Sequence, residues 1–228
     1  MNRGDLRTLL RTRLDDKALP GLWDDDELND LLNEAVQEAN LRARLLVDRT
    51  TDDVTKIAVT AGTATYPMHP SIIVLRRGEF QLASGDMPPR VLKRRSSEEL
   101  DRRWPYWQSL TGTIPVDIVQ DFDAHALTLS PAPCQDGVLR LTVWRHPLDS
   151  ELMTTDDMAP LIPSYHHRRL VDWAAYEALS NQDAEERDDA KMSRFLSTFE
   201  AEYGQRPTVA QLRKLAVDHD GEVESYYF

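Results

Sequence analysis

Between Trp23 and Asp48, Leu28, Leu31, Leu32, Ala35, Ala39, Ala43 and Leu46 recur every three or four residues, and the spacing predicts one long helix with a single apolar face. Asp24 stands at the expected N-cap with Glu27 three positions on, the sequence of a capping box. The face is narrow and rich in alanine. Small residues let another helix approach closely, so the pattern predicts packing against helices rather than on a sheet. Acidic residues gather at the positive end of the helix dipole and Arg42, Arg44 and Arg49 at the negative end. The acidic run is read as capping in preference to metal or acid/base chemistry.

The rest of the chain takes its place around this helix. Leu6, Leu9, Leu10 and Leu14 predict a short amphipathic helix over residues 4–15, stopped before Pro20 and Gly21. After Asp48 the period becomes alternating, and strands are expected at 55–60, 65–68, 71–82, 89–94, 115–120, 126–130 and 138–145. Ser84, Gly85 and Asp86 turn a hairpin, and SSEELDRRW reads as a brief helix capped by Ser96 or Ser97 with Glu99. From Pro163 the helical period returns through Leu170, Trp173, Ala174, Ala178 and Leu179, the best-buried helix expected. Met192, Phe195, Leu196, Phe199 and Tyr203 form the next stripe, closed by Gly204 and Pro207. Thr208 and Gln211 then cap a three-turn helix bearing Val209, Leu212 and Ala216, which is marginal alone in water.

The last residues, Tyr226, Tyr227 and Phe228, are three consecutive aromatics. Val209, Leu212, Ala216 and these aromatics are read as a surface docking on another protein or a neighbouring copy, in preference to packing within their own domain or to disorder.

Composition limits the possible functions. A hydrophobic share of 41% with five Trp is enough to bury a core in 228 residues, while 29% charged residues and a net charge of −12 imply a heavily solvated exterior. That charge argues against a dedicated DNA-backbone binder, because such affinity comes from Lys and Arg neutralising phosphates. The single Cys134 excludes an intrachain disulfide or a Cys-based zinc site and suits a reducing compartment. No stretch has the length of a signal-peptide core or a membrane span.

Catalytic signatures are missing: there is no G-x-G-x-x-G, P-loop, H-E-x-x-H or paired C-x-x-C motif. DHDG at Asp218 to Gly221 has the look of a calcium loop, yet Ala216 and Tyr227 occupy two positions that must supply oxygens. Ser164, His166, His167 and Asp172 are the residue types of a hydrolase triad, but they lie at a helix start without a nucleophile elbow, so capping and packing are the preferred roles. Asp121 and Asp123 read as turn residues. No catalytic residue, metal ligand or cofactor is assigned, and the chain is not expected to be an enzyme.

One basic stretch stands out. Arg76, Arg77, Arg90, Lys93, Arg94 and Arg95 lie in a run with Phe80, Trp104, Tyr106 and Trp107 at its edges. A contact with the acidic helical face of a neighbouring copy is preferred to an ordinary solvated surface or to nucleic-acid binding.

The order of segments resembles a known family. A short Arg-rich helix is followed by WDDDELNDLLNEAVQEANLRARLL, IAVTAGTATYPMHP, SEELDRRWPYW, LRLTVWRHPL and IPSYHHRRLVDWAAYEAL. Over residues 4 to 204 this is similar to the head-to-tail adaptor (connector) proteins of tailed bacteriophages. The resemblance implies an α+β fold: a helical bundle from residues 1–50 and 160–204, an inserted antiparallel β-rich module at 51–159, and a C-terminal docking extension at 205–228. It also implies a structural virion protein of the head–tail junction, assembled in the host cytoplasm. Its partners would be the portal protein, a tail or nozzle protein, and further copies of itself in a ring, usually of twelve. Genomic double-stranded DNA would pass through without specific binding, and no membrane is involved. The alternatives are a nucleic-acid-binding regulator or another neck or tail completion protein.

Overall fold

The structure is a computed structural model and describes residues 1–18, 20–121, 125–181 and 188–217, with side chains followed as far as Leu215. Among the described residues there are seven α-helices and a curled mixed sheet, an α+β fold as the sequence predicts. The chain divides into two compact units. One joins Met1–Leu46 to His146–Pro207; the other comprises Val47–Arg145 and the segment from Thr208.

The first unit is helical. Helix α1 (Arg3–Leu14) starts with a capping box that its apolar pattern does not advertise: Asn2 accepts from the Asp5 amide at 2.8 Å, and the Asp5 carboxylate accepts from the Asn2 amide at 3.2 Å. Helix α2 (Asp25–Ala43) starts after Asp24 as expected, but Asp24 makes no side-chain capping bond. The arginines of α1 fix the first turn instead, with Arg11 donating to Asp25 at 2.6 Å and to the Trp23 carbonyl at 2.9 Å. The helix also stops five residues short of Asp48. Arg44 turns left-handed at φ 52°, and the buried Asn40 side chain takes the amide of Leu46 at 2.8 Å, ending the helix where hydrophobicity alone would extend it.

Helix α5, numbered here in chain order after the two short helices of the second unit, spans His167–Ser180 and packs against α1, α2 and α6 (Asp189–Tyr203). Leu170, Val171, Ala174, Ala175 and Ala178 have no exposed surface, and they meet Leu28, Leu32, Ala35 and Ala39 of α2, equally buried. The alanine-lined face of α2 is therefore a helix contact. Trp173, Phe199 and Tyr203 continue the core as a run of tilted rings with centroids 5.2 and 4.5 Å apart.

One cation sits inside this core. Arg42 of α2 donates to Glu38 at 2.7 Å and to the Gly204 carbonyl at 3.2 Å, while its guanidinium lies 4.9 Å from the Trp173 ring centre and 5.1 Å from that of Phe199. The segment leading to α5 is held from α1: Asp156 accepts from Arg3 at 2.7 Å and Arg7 at 2.6 Å, which keep its carboxyl at about 2.

The second unit is built on strands β1 (Val47–Asp48), β2 (Lys56–Val59), β3 (Thr65–Pro67), β4 (Ile72–Leu82), β5 (Arg90–Arg95), β6 (Thr111–Gly112), β7 (Asp117–Val119), β8 (Ala126–Ser130), β9 (Ala132–Pro133) and β10 (Gly137–Arg145). Its short helices are α3 (Asp52–Thr55) and α4 (Ser97–Arg103), and α7 (Val209–Val217) packs against β4. The main sheet runs β1-β10-β4-β5-β7-β8-β3, with β2 also on β10, and β6 and β9 form a separate parallel pair. Most neighbours are antiparallel. The exception within the main sheet is β5 with β7, which run parallel because α4 carries the chain back between them. Ser96 caps α4 by accepting from the Glu99 amide at 3.0 Å, as SSEEL predicts.

Burial follows alternation on β10, where Leu139, Leu141 and Val143 are fully buried beneath the sheet with Phe80 and Leu92. Gly137 is required by close approach, since a Cβ there would lie 2.4 Å from the Phe80 ring and 2.6 Å from the Gln81 carbonyl. At the sheet edge, Arg145 donates to Asp48 at 2.6 Å, with both side chains buried. Burial by itself would raise the Asp48 carboxyl, but the amides of Thr50 and Thr51 and the Arg145 guanidinium hold it well below the usual carboxylate range.

Two outcomes are expected. Ala39→Leu overpacks the α2–α5 contact and costs about 1–3 kcal/mol in chemical denaturation. The Asp48 carboxyl is depressed on folding, so its stabilisation is present above the unfolded value of about 4 and is lost as pH falls below it. Asp48→Asn should lower stability at neutral pH and flatten the acid limb of a urea-unfolding series across pH.

Candidate functional site

The outward side of the main sheet carries a group of basic residues, and strand register assembles most of them. On β10 the residues alternating with the buried leucines are Arg140, Thr142 and Trp144. Arg140 pairs with Lys56 of β2 on one side and Glu79 of β4 on the other, and Glu79 pairs with Val91 of β5. One row across four strands is thus Lys56, Arg140, Glu79 and Val91. The next row has Arg77, opposite Thr142, and Lys93, two residues beyond Val91.

Arg76 joins this side through a β-bulge. Between Thr142 and Val143 the partner on β4 jumps from Arg77 to Leu75, so Arg76 is an extra residue, and its guanidinium lies 4.8 Å from the Trp144 ring centre. The bulge explains why two consecutive strand residues, Arg76 and Arg77, are both exposed. Carboxylates thread between the cations. Glu79 forms an ion pair with Arg77 at 2.8 Å and accepts from Arg49 at 3.2 Å, and Asp52 accepts from Lys56 at 3.2 Å and Arg140 at 3.5 Å. Six cations therefore surround two carboxylates, with the half-exposed Val91 and Val47 and the partly buried Trp144 among them.

The six basic residues singled out in the sequence fall into different environments. Arg76, Arg77 and Lys93 belong to this face. Arg90, opposite the buried Phe80, is exposed at the start of β5. Arg94 donates to the Leu215 carbonyl at 2.6 Å, placing a cation at the C-terminal end of α7. Arg95 is buried, donating to the buried Asp117 at 2.9 Å and pairing with Glu99. Register also adds Lys56 and Arg140, and contact with Glu79 adds Arg49; these lie far from the basic stretch in sequence, and only strand pairing reveals them.

Thr208 and Gln211 cap α7 reciprocally, at 2.8 and 3.2 Å, in the way the sequence predicts. Val209 is 67% exposed and Leu212 is partly buried. The side chain of Ala216, the segment Asp218 to Gly221, and Tyr226, Tyr227 and Phe228 lie outside the described residues, as does Asp123.

The triad-type residues do not converge. His166 pairs with Glu202 at 2.7 Å, whereas His167 is buried between the carbonyls of Ile162, 2.8 Å, and Met1, 3.0 Å. Asp172, fully buried, faces Arg13 at 3.5 Å and Arg169 at 3.4 Å, and burial pushes its carboxyl up. His167 ties the start of α5 to Met1, and His166 ties it to the last turn of α6. Cys134 is exposed, 3.9 Å from the Thr113 hydroxyl. Among the described residues no group of three His, Cys, Asp or Glu is placed to hold a metal, and no helix is long and apolar enough to cross a membrane.

The family model described as SU10 adaptor protein matches residues 1–219 of the chain. None of the curated proteins matches the chain.

The two environments on β5 should separate in stability measurements. Arg95→Ala leaves Asp117 buried without its cation and is expected to cost about 3–5 kcal/mol. Lys93→Ala, on the exposed face, should change stability by no more than about 0.5 kcal/mol. Urea titrations of the two variants check both.

Proposed function

The chain belongs to the SU10 adaptor protein family, a family of bacteriophage adaptors, and from that premise we propose that it joins the portal to the tail at the neck of the virion. The observation that carries the proposal is the match over residues 1–219, which takes in the whole helical unit and the second unit through the end of α7. Structural adaptors are not an enzyme class.

In this reading copies of the chain form a ring, twelve in number, beneath the portal and extend the DNA channel. The net charge of −12 is multiplied by the number of subunits, and a negative lumen would repel DNA and avoid retaining it during passage. Docking on the portal, or on a neighbouring copy, is assigned to Val209, Leu212, Ala216, Tyr226, Tyr227 and Phe228. Support comes from the exposure of Val209 on a helix that is already capped, and from the run of three aromatics in the sequence.

The experiment is co-sedimentation with the cognate portal, with negative-stain microscopy of the pelleted material. Full-length chain should pellet with portal and add a ring to it. The triple variant Tyr226→Ala, Tyr227→Ala, Phe228→Ala, which leaves α7 and its cap in place, should lose most of the pelleting. Undiminished pelleting would remove the aromatic run from the docking surface, and failure of the full-length chain to bind portal would refute the adaptor role.

A further inference from the structure

Charge is distributed unevenly between the two units. The helical unit carries 13 Lys and Arg against 23 Asp and Glu, so nearly all of the excess acidity resides there. Val47–Arg145 carries 12 of each and is neutral, yet its outward sheet face gathers six of those cations around Glu79 and Asp52. A basic face on one unit and a strongly acidic companion unit in the same chain are complementary between copies.

We propose that the outward face of the sheet, centred on Arg77, Arg140 and Val91, is a docking surface for the acidic helical unit of a second copy of this chain. The element it fits is the solvent side of α2. Asp26, Glu27, Asp30 and Glu34 are exposed there at spacings that keep them on one side of the helix, and none of them forms a salt bridge among the described residues. Asp25, in the same turn, is already engaged by Arg7 and Arg11.

The composition of the face selects protein over nucleic acid. Glu79 and Asp52 sit between the cations and would oppose phosphates, and Val91 and Val47 place apolar surface inside the charged field. Charged groups around a small apolar centre are the anatomy of a protein interface. Because the two surfaces differ, the contact is head-to-tail, the kind that generates a ring when its rotation closes. The inference rests on the assembly reading above only in taking a second copy as the occupant, and it places the basic residues of β4 and β5 in a face completed by β2 and β10.

A photo-cross-linker at the face identifies the occupant. Full-length chain with Val91→p-benzoylphenylalanine, mixed as light and nitrogen-15-labelled protein and irradiated, should give mixed-isotope cross-links to residues 24–37. Cross-links confined to other segments, or no mixed-isotope product, would overturn the proposal. Charge reversal gives a second reading. Arg77→Glu with Arg140→Glu, or Asp26→Lys with Asp30→Lys, should each weaken self-association by roughly tenfold or more in sedimentation velocity, and mixing the two variants should restore it. Reversals without effect, or duplex DNA retention abolished by the face reversal, would also overturn it. Portal co-sedimentation is a separate measurement, so this contact and the adaptor role fail independently.

Discussion

Arg42 is the constraint on which the helical unit depends. A guanidinium in a core of alanine, leucine and aromatic side chains loses its hydration at a cost of several kcal/mol, and that cost must be offset by groups already in place. Glu38, one turn earlier on α2, supplies the counter-charge; Gly204, just after α6, supplies a carbonyl; Trp173 and Phe199, from α5 and α6, supply ring faces. Three helices must therefore dock in one arrangement for the charge to be tolerated. The alanine face of α2 permits the approach, and Arg42 discriminates between registers of that approach.

The same logic runs through the β unit. Arg95 with Asp117 and Arg145 with Asp48 are buried pairs on the strands, whereas Arg76, Arg77, Lys93 and Arg140 stay at the surface. Arginine here has two physical roles, and on β5 alternation alone does not divide them: Lys93 and Arg95 are two positions apart, yet only Arg95 is buried, between Asp117 and Glu99. The buried pairs specify pairing between strands. The exposed residues build a surface whose charge opposes that of the rest of the chain.

Much of this was readable from residue order, and the unread part has identifiable causes. The α+β class, the strands at 72–82 and 126–130, the Ser96 cap of α4 and the Thr208–Gln211 cap of α7 all follow from period and local hydrogen bonding. The end of α2 does not, because it is set by the Asn40 side chain reaching the Leu46 amide, a contact that hydrophobic spacing cannot report. The parallel β5–β7 pair is a tertiary choice, made when α4 returns the chain across the sheet. For the candidate face, the basic character of residues 76–95 was legible. The contributions of Arg49, Lys56 and Arg140 were not, since they depend on which strands become neighbours, and no local signal distinguishes the buried Arg95 from the exposed Lys93.

The bulge at Arg76 also bears on which changes of length the chain can absorb. Strand β4 contains two residues without a partner on β10, Ile73 and Arg76, so removing Arg76 would close one of the two interruptions while preserving the facing of everything from Gly78 onward. A deletion in the regular stretch from Gly78 to Leu82 would reverse inside and outside for the remainder of that strand and bring Glu79 or Gln81 toward the core. Single-residue gaps among related chains should therefore collect at Ile73 and Arg76 and be excluded from the stretch from Gly78 to Leu82, a footprint of strand geometry on evolutionary spacing.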